Sequence, residues 1–234
     1  MKSEPSDKRQ FVRYAFYRVR ADWRARSLEQ RTLDRDELGD ILCSFAERMP
    51  VLRTYSTVGT RGDCDLLIWS VSYQLEDFRC LQTAINGSRM GPYIETAYSY
   101  LAMTKRSVYV AEHAHQGQEG TRLKVRPGGA RYLFVYPFWK TRAWYQLPLQ
   151  ERATMMGEHI KVGHRYPSVK INTSYSFGLD DPEFVVAFES DVPADFLDLV
   201  VELRESEASS YTLRDTPIFT CESMSVGEVL QAIG

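Results

Sequence analysis

One order of apolar patterns occurs twice in this 234-residue chain, and it restricts the fold more than any single motif does. In the first half, VRYAFYRV from Val12 alternates as a strand. Leu38, Ile41, Leu42, Phe45 and Met49 then recur at helical spacing, closed by Pro50. VLRTYSTVG from Val51 and CDLLIWSVSY from Cys64 form a predicted hairpin. Phe78, Leu81 and Ile85 give a second helix its face, and YIETAYSYLAM is extended. The second half repeats strand, helix, strand, strand, helix, strand, ending with ADFLDLVVELRE and TPIFTC. TYSTVGTRGDCDLLIWSV lies over TSYSFGLDDPEFVVAFES with Gly59 opposite Gly178. This order predicts an α+β protein of two fused ferredoxin-like units, each sheet burying one face under helices. The expected divisions are a disordered tail over 1–9, an N-terminal half over 10–111, a linker or active-site loop over 112–130, and a C-terminal half over 131–234.

The C-terminal half carries most of the candidate chemistry. Tyr132, Phe134 and Tyr136 alternate with Leu133 and Val135, so one strand face is aromatic and Tyr136 points inward. A turn is expected at Pro137. Pro148 suits the first turn of a helix ending near Gly163, with an apolar stripe of Leu149, Ala153, Met156 and Ile160 that His159 borders. A histidine in that position is more often a boundary residue than a ligand, and no H-x-x-x-H or C-x-x-C spacing accompanies it. Between the halves, EHAHQGQEGTRLKVRPGGA is polar and glycine-rich. His113 and His115 lie there, and a solvated loop explains them more readily than a metal site. Near the end, Ser225 and Glu228 make a capping box for a short helix with Val229, Leu230 and Ile233, expected to pack on the body as a lid or interface piece.

Charge and targeting signals narrow the partners. Twenty-nine basic against thirty-one acidic residues, net -2 and without a basic block, give no general attraction to nucleic acid. The first nine residues are polar, and no run approaches the ~20 apolar residues of a spanning helix. The expected location is therefore cytoplasmic, with no membrane partner. Cys43, Cys64, Cys80 and Cys221 are widely spaced, which predicts buried, reduced thiols.

Several separated motifs then agree in order with one family. YPFWK from Tyr136 followed by Trp144-Tyr145, ERATMMGEH with Gly163 soon after, GLDDPEF, RESEAS and an F-x-C ending at Cys221 resemble the chlorite dismutase family, and within it the coproheme decarboxylases. Cys221 and His164 depart from the glycine and arginine usual at those places. The resemblance is best over 132–221. It implies a dimeric α+β barrel type of fold, a porphyrin in the second half, and a homo-oligomer, usually a pentamer.

Residue by residue, the resemblance makes His159 the proximal iron ligand, Tyr136 the catalytic tyrosine, Lys140 a lysine near a reactive propionate, and Trp144 an aromatic beside the cofactor. Arg122 matches a propionate-binding arginine. Ile171 of KINTSYSFG falls where true chlorite dismutases carry a distal arginine. An alkyl group cannot orient chlorite by charge, so chlorite chemistry is disfavoured. The implied reaction is peroxide-dependent oxidative decarboxylation of iron-coproporphyrin III (coproheme) to haem b. In it hydrogen peroxide is co-substrate, Tyr136 a radical relay, and Lys140 with an arginine holds a carboxylate. The alternatives are a haem carrier or sensor on the same fold and a haem peroxidase.

Overall fold

The structure is a computed structural model that describes residues 8–109 and 123–234. Its elements run β1 (Phe11–Val19), α1 (Ala21–Arg24), α2 (Leu28–Arg48), β2 (Val51–Ser56), β3 (Leu66–Ser72), α3 (Leu75–Gly87) and β4 (Ile94–Met103). They continue as β5 (Tyr132–Lys140), α4 (Arg142–Gln146), α5 (Leu149–His164), β6 (Lys170–Tyr175), β7 (Phe184–Ser190), α6 (Pro193–Glu205), β8 (Thr212–Arg214), β9 (Phe219–Met224) and α7 (Val226–Ala232). Two compact units result, one of Gln10–Leu101 with Phe219–Gly234, the other dominated by Ala102–Ile218.

In the N-terminal unit the strands lie in the order β4-β1-β3-β2, with β9 added beside β2. That is the ferredoxin-like arrangement of fourth, first, third and second strands. Helix α2 starts from a complete capping box, Ser27 with Gln30, and buries Leu38, Leu42 and Phe45. These meet Ala15, Tyr17 and Val19 of β1, Leu66 and Ile68 of β3, and Phe78, Leu81 and Ile85 of α3 in one continuous core. Asp34, fully buried on α2, accepts the Trp23 indole N–H at 3.0 Å and an Arg26 N–H at 3.0 Å, so its charge has partners.

The C-terminal unit repeats the plan. β5 pairs antiparallel with β7 and with β8, and β6 pairs with β7, so the order β8-β5-β7-β6 is again fourth, first, third, second. Matching elements have matching lengths: nine residues in β1 and β5, six in β2 and β6, seven in β3 and β7, thirteen in α3 and α6. The hairpin turns agree too, with Gly59 at φ 83° and Gly178 at φ 71°, a left-handed conformation that suits glycine.

Three expectations are corrected. The strand does not turn at Pro137: β5 runs on to Lys140, and Pro137 still sits opposite Val185. Proline removes one donor, which the remaining ladder absorbs. The C-terminal half does not extend to residue 234. β9 pairs with β2, Thr54 opposite Met224, and Val229, Leu230 and Ile233 of the capped α7 enter the N-terminal core. Of the four free thiols, Cys64 and Cys221 are buried, but Cys43 and Cys80 are exposed on helices. No helix of the described residues is long and apolar enough to cross a membrane.

Candidate functional site

Strand β5 sets the site out by its alternation. Phe134 is buried on the face that α6 covers through Phe196 and Leu199, and Tyr132, Tyr136 and Phe138 join it only partly buried, with Val162 and Tyr166 beside them. The Tyr136 ring stacks on Phe188 of β7 at 5.9 Å and 22°. Burial pushes the Tyr136 phenol well above its ordinary pKa, helped by the negative charge of Asp215 and opposed by Arg204. This hydroxyl keeps its proton at any physiological pH.

At the end of β5 the ladder to β8 shifts register between Trp139 and Lys140. Lys140 is buried, and its ammonium donates to the Ala208 carbonyl and lies 4.6 Å from the Trp144 ring centroid. Burial pulls its pKa down to about 8, partly offset by Glu183. Glu183 in turn accepts the Lys140 backbone N–H at 2.8 Å and the Tyr145 hydroxyl. Trp144, buried on α4, packs with Met155 of α5 and with Ala208, flanked by Tyr109, Tyr145, Met156 and Tyr211.

His159 lies one turn beyond Met155. Its Nδ1 is 3.2 Å from the Ser206 hydroxyl oxygen, and Nε2 has no hydrogen bond among the described residues. Burial, with the charge of Lys140 second, depresses its pKa to about 4, so the imidazole is neutral at neutral pH. The expected stripe of Leu149, Ala153, Met156 and Ile160 is displaced: Leu149 is 53% exposed, and Met155 is the buried residue of α5. The inward face runs through Met155, His159 and Val162, because Trp144 and Ala208 form the surface on which α5 rests. His159 therefore stands on this face rather than at its border.

The structure thus brings Lys140, Trp144 and His159 together, and joins Tyr136 to Ile171 through Phe188. Ile171 on β6 pairs with Phe188 and is 53% exposed. Arg122, His113 and His115 lie outside the described residues. Ser206, Phe188, Glu183 and the Ala208 carbonyl were not singled out from the sequence. RESEAS contains Ser206 and Ala208 and GLDDPEF contains Glu183, but neither motif shows what those residues touch, and a backbone carbonyl leaves no signature in a residue type.

Comparison of the two units isolates what is special here. In matching strands, Ala15 stands where the C-terminal unit has Tyr136, Val19 where it has Lys140, and Ser70 where it has Phe188. Trp23 and Trp144 each follow four residues after the strand. Ala15 and Val19 are sealed in a core filled by Trp23, Leu38, Leu42, Phe78 and Leu81. The C-terminal face keeps half-buried aromatics and a neutral histidine whose Nε2 is unshared among the described residues. That set fits an iron porphyrin: a flat apolar ring against aromatic side chains, and an imidazole lone pair for the metal.

The whole chain has relatives. Residues 18–224 match the family model described as chlorite dismutase. A coproheme decarboxylase from Mycolicibacterium smegmatis is 30% identical over 224 residues, covering 94% of this chain and 93% of that protein. A chlorite dismutase variant from Candidatus Nitrospira defluvii superimposes with a TM-score of 0.87 at 22% identity, over 96% of this chain and 94% of that one. The same organism's chlorite dismutase in complex with imidazole gives 0.85 at 24%, with the same coverage. At those identities the structures establish the fold, α+β with two ferredoxin-like units, and the family model with the M. smegmatis relative establishes descent: the chain belongs to the chlorite dismutase family.

Proposed function

We propose that this protein binds an iron porphyrin through His159 and uses hydrogen peroxide to decarboxylate coproheme oxidatively to haem b. The observation that carries this reading is that Tyr136 and Lys140 stand where a strand of the same length and register in the other unit has Ala15 and Val19, close to a helix that presents His159. The resemblance to a coproheme decarboxylase along nearly the full chain supports the choice of substrate. For each of the two propionates lost, one peroxide and one proton give one vinyl group, carbon dioxide and two waters.

Held by His159, the porphyrin iron would supply the oxidising power drawn from hydrogen peroxide at the start of the reaction. Tyr136 keeps its phenolic hydrogen until that point, since burial disfavours the phenolate. It then loses a hydrogen atom and takes one from the propionate carbon next to the ring. Loss of a second electron and of carbon dioxide leaves the vinyl. Lys140 has three N–H donors, one on Ala208, and directs the others and its charge to a carboxylate. Trp144 holds that ammonium in place from beneath. Arg122 would add a second cation to the propionate. Ile171 offers no charge to orient chlorite, so chlorite turnover is not favoured.

Titrating the protein with coproheme and with haem b, then adding peroxide, tests the reading. Tight coproheme binding followed by vinyl formation supports it. Preference for haem b with no change in porphyrin mass would identify a carrier instead, and oxidation of added donors with intact propionates a peroxidase.

A further inference from the structure

We infer that Ser206 is a positioning residue that fixes the tautomer of His159, holding the proton on Nδ1 and presenting Nε2 as a bare lone pair. Ser206 is the first residue beyond α6, and its hydroxyl donates to the Leu203 carbonyl at 2.7 Å. A serine hydroxyl has one hydrogen. With that hydrogen directed to Leu203, the oxygen offers His159 only a lone pair, so across the 3.2 Å contact the imidazole Nδ1–H must be the donor. Nε2 is then unprotonated and has no hydrogen bond among the described residues. Burial keeps the ring neutral, so a second ring proton does not upset the assignment.

The other unit shows that the serine's donation to the helix is a property of the fold. Helix α3, also thirteen residues long, ends at Ser88, whose hydroxyl donates to the Ile85 carbonyl at 2.7 Å. Among the described residues no imidazole contacts Ser88. The C-terminal unit therefore uses the same cap with its free lone pair orienting a ring. Partners of this kind set the orientation and tautomer of ligating histidines. Because the acceptor is a neutral hydroxyl, His159 stays an imidazole and does not gain the anionic character that a carboxylate would induce.

The hydrogen-bond assignment stands on the structure alone, while its consequence for iron rests on the haem reading above. The test uses haem-free full-length protein labelled with 15N at its four histidines, His159 being assigned by the signal lost in His159→Gln. The wild type should show a protonated Nδ1 and a pyridine-type Nε2 at His159. Ser206→Ala should shift the ring toward the Nε2–H tautomer and weaken ferric haem binding by about 10- to 100-fold. Ser206→Thr should restore both. Ser88→Ala removes the same cap from the other helix and should leave tautomer and haem affinity unchanged, which separates positioning from loss of helix stability. A wild-type His159 protonated at Nε2 overturns the inference, whatever the variants do. So does a Ser206→Ala protein that matches Ser88→Ala in both readouts. A tautomer shift in a protein whose wild type binds no haem supports the hydrogen bond and refutes the haem reading alone.

Discussion

Tyr136 and His159 are both partly buried, but burial acts on them in opposite ways. It raises the phenol and so preserves its hydrogen for abstraction; it lowers the imidazole and so preserves its lone pair. Tyr136→Phe keeps the ring stacked on Phe188 and removes only the hydroxyl. Unfolding midpoint and porphyrin affinity should therefore change little, and peroxide should still be consumed, while propionate loss falls to background by mass spectrometry. The histidine carries a pH signature in haem-free protein. Its folded pKa, about 4, lies below the ordinary 6.5, so between those values the unfolded chain binds more protons than the fold. Its contribution to stability is complete above pH 6.5 and lost as pH falls toward 4. Urea midpoints should drop across that window in the wild type, and less in His159→Gln.

At the scale of elements, two features decide how well the site is held. Trp144 fills the junction of α4, α5 and Ala208 and underlies the Lys140 ammonium. Trp144→Ala should cost about 3–5 kcal/mol by chemical denaturation, as expected for deleting a buried indole, and raise the coproheme dissociation constant. Glu189 on β7 is nearly fully buried and accepts the Gly128 and Gly129 backbone N–H groups at 2.6 and 2.9 Å and the Asn172 amide at 2.8 Å. Glu189→Ala leaves these donors without their acceptor and should cost about 1–3 kcal/mol, with Glu189→Gln milder because one amide oxygen still accepts.

Much of this was legible in the residues, and the failures have physical causes. The aromatic alternation of Tyr132, Phe134 and Tyr136 marked the inward face of β5, because period two needs only the sequence. Pro137 misled, since loss of one donor is a local event that cooperative pairing can override. The α5 stripe was read one position off because Trp144 decides which face is inward. The pairing of His159 with Ser206 joins residues 47 positions apart in the chain, and no local pattern encodes such a contact.

For the whole molecule, the two units share one plan and divide the labour: one packs a complete core where the other keeps polar, half-buried groups. The overlay of Gly59 on Gly178 marked the repeated hairpin, but the fourth strand of the C-terminal unit is β8, not the TPIFTC segment expected there, and the path of the chain end was not implied. Its return to the N-terminal unit depends on β2 having an edge for β9. We expect a homo-oligomer, most simply a pentamer, and light scattering that gives the mass of one chain at micromolar concentration would contradict this.

The measurement that bears most directly on the central claim is the mass of the porphyrin extracted after wild-type protein loaded with coproheme receives peroxide in stepwise equivalents. A three-propionate species should appear first and haem b next, one peroxide for each vinyl formed. Coproheme recovered intact, or bleached without any loss of carbon dioxide, would refute the proposed decarboxylation.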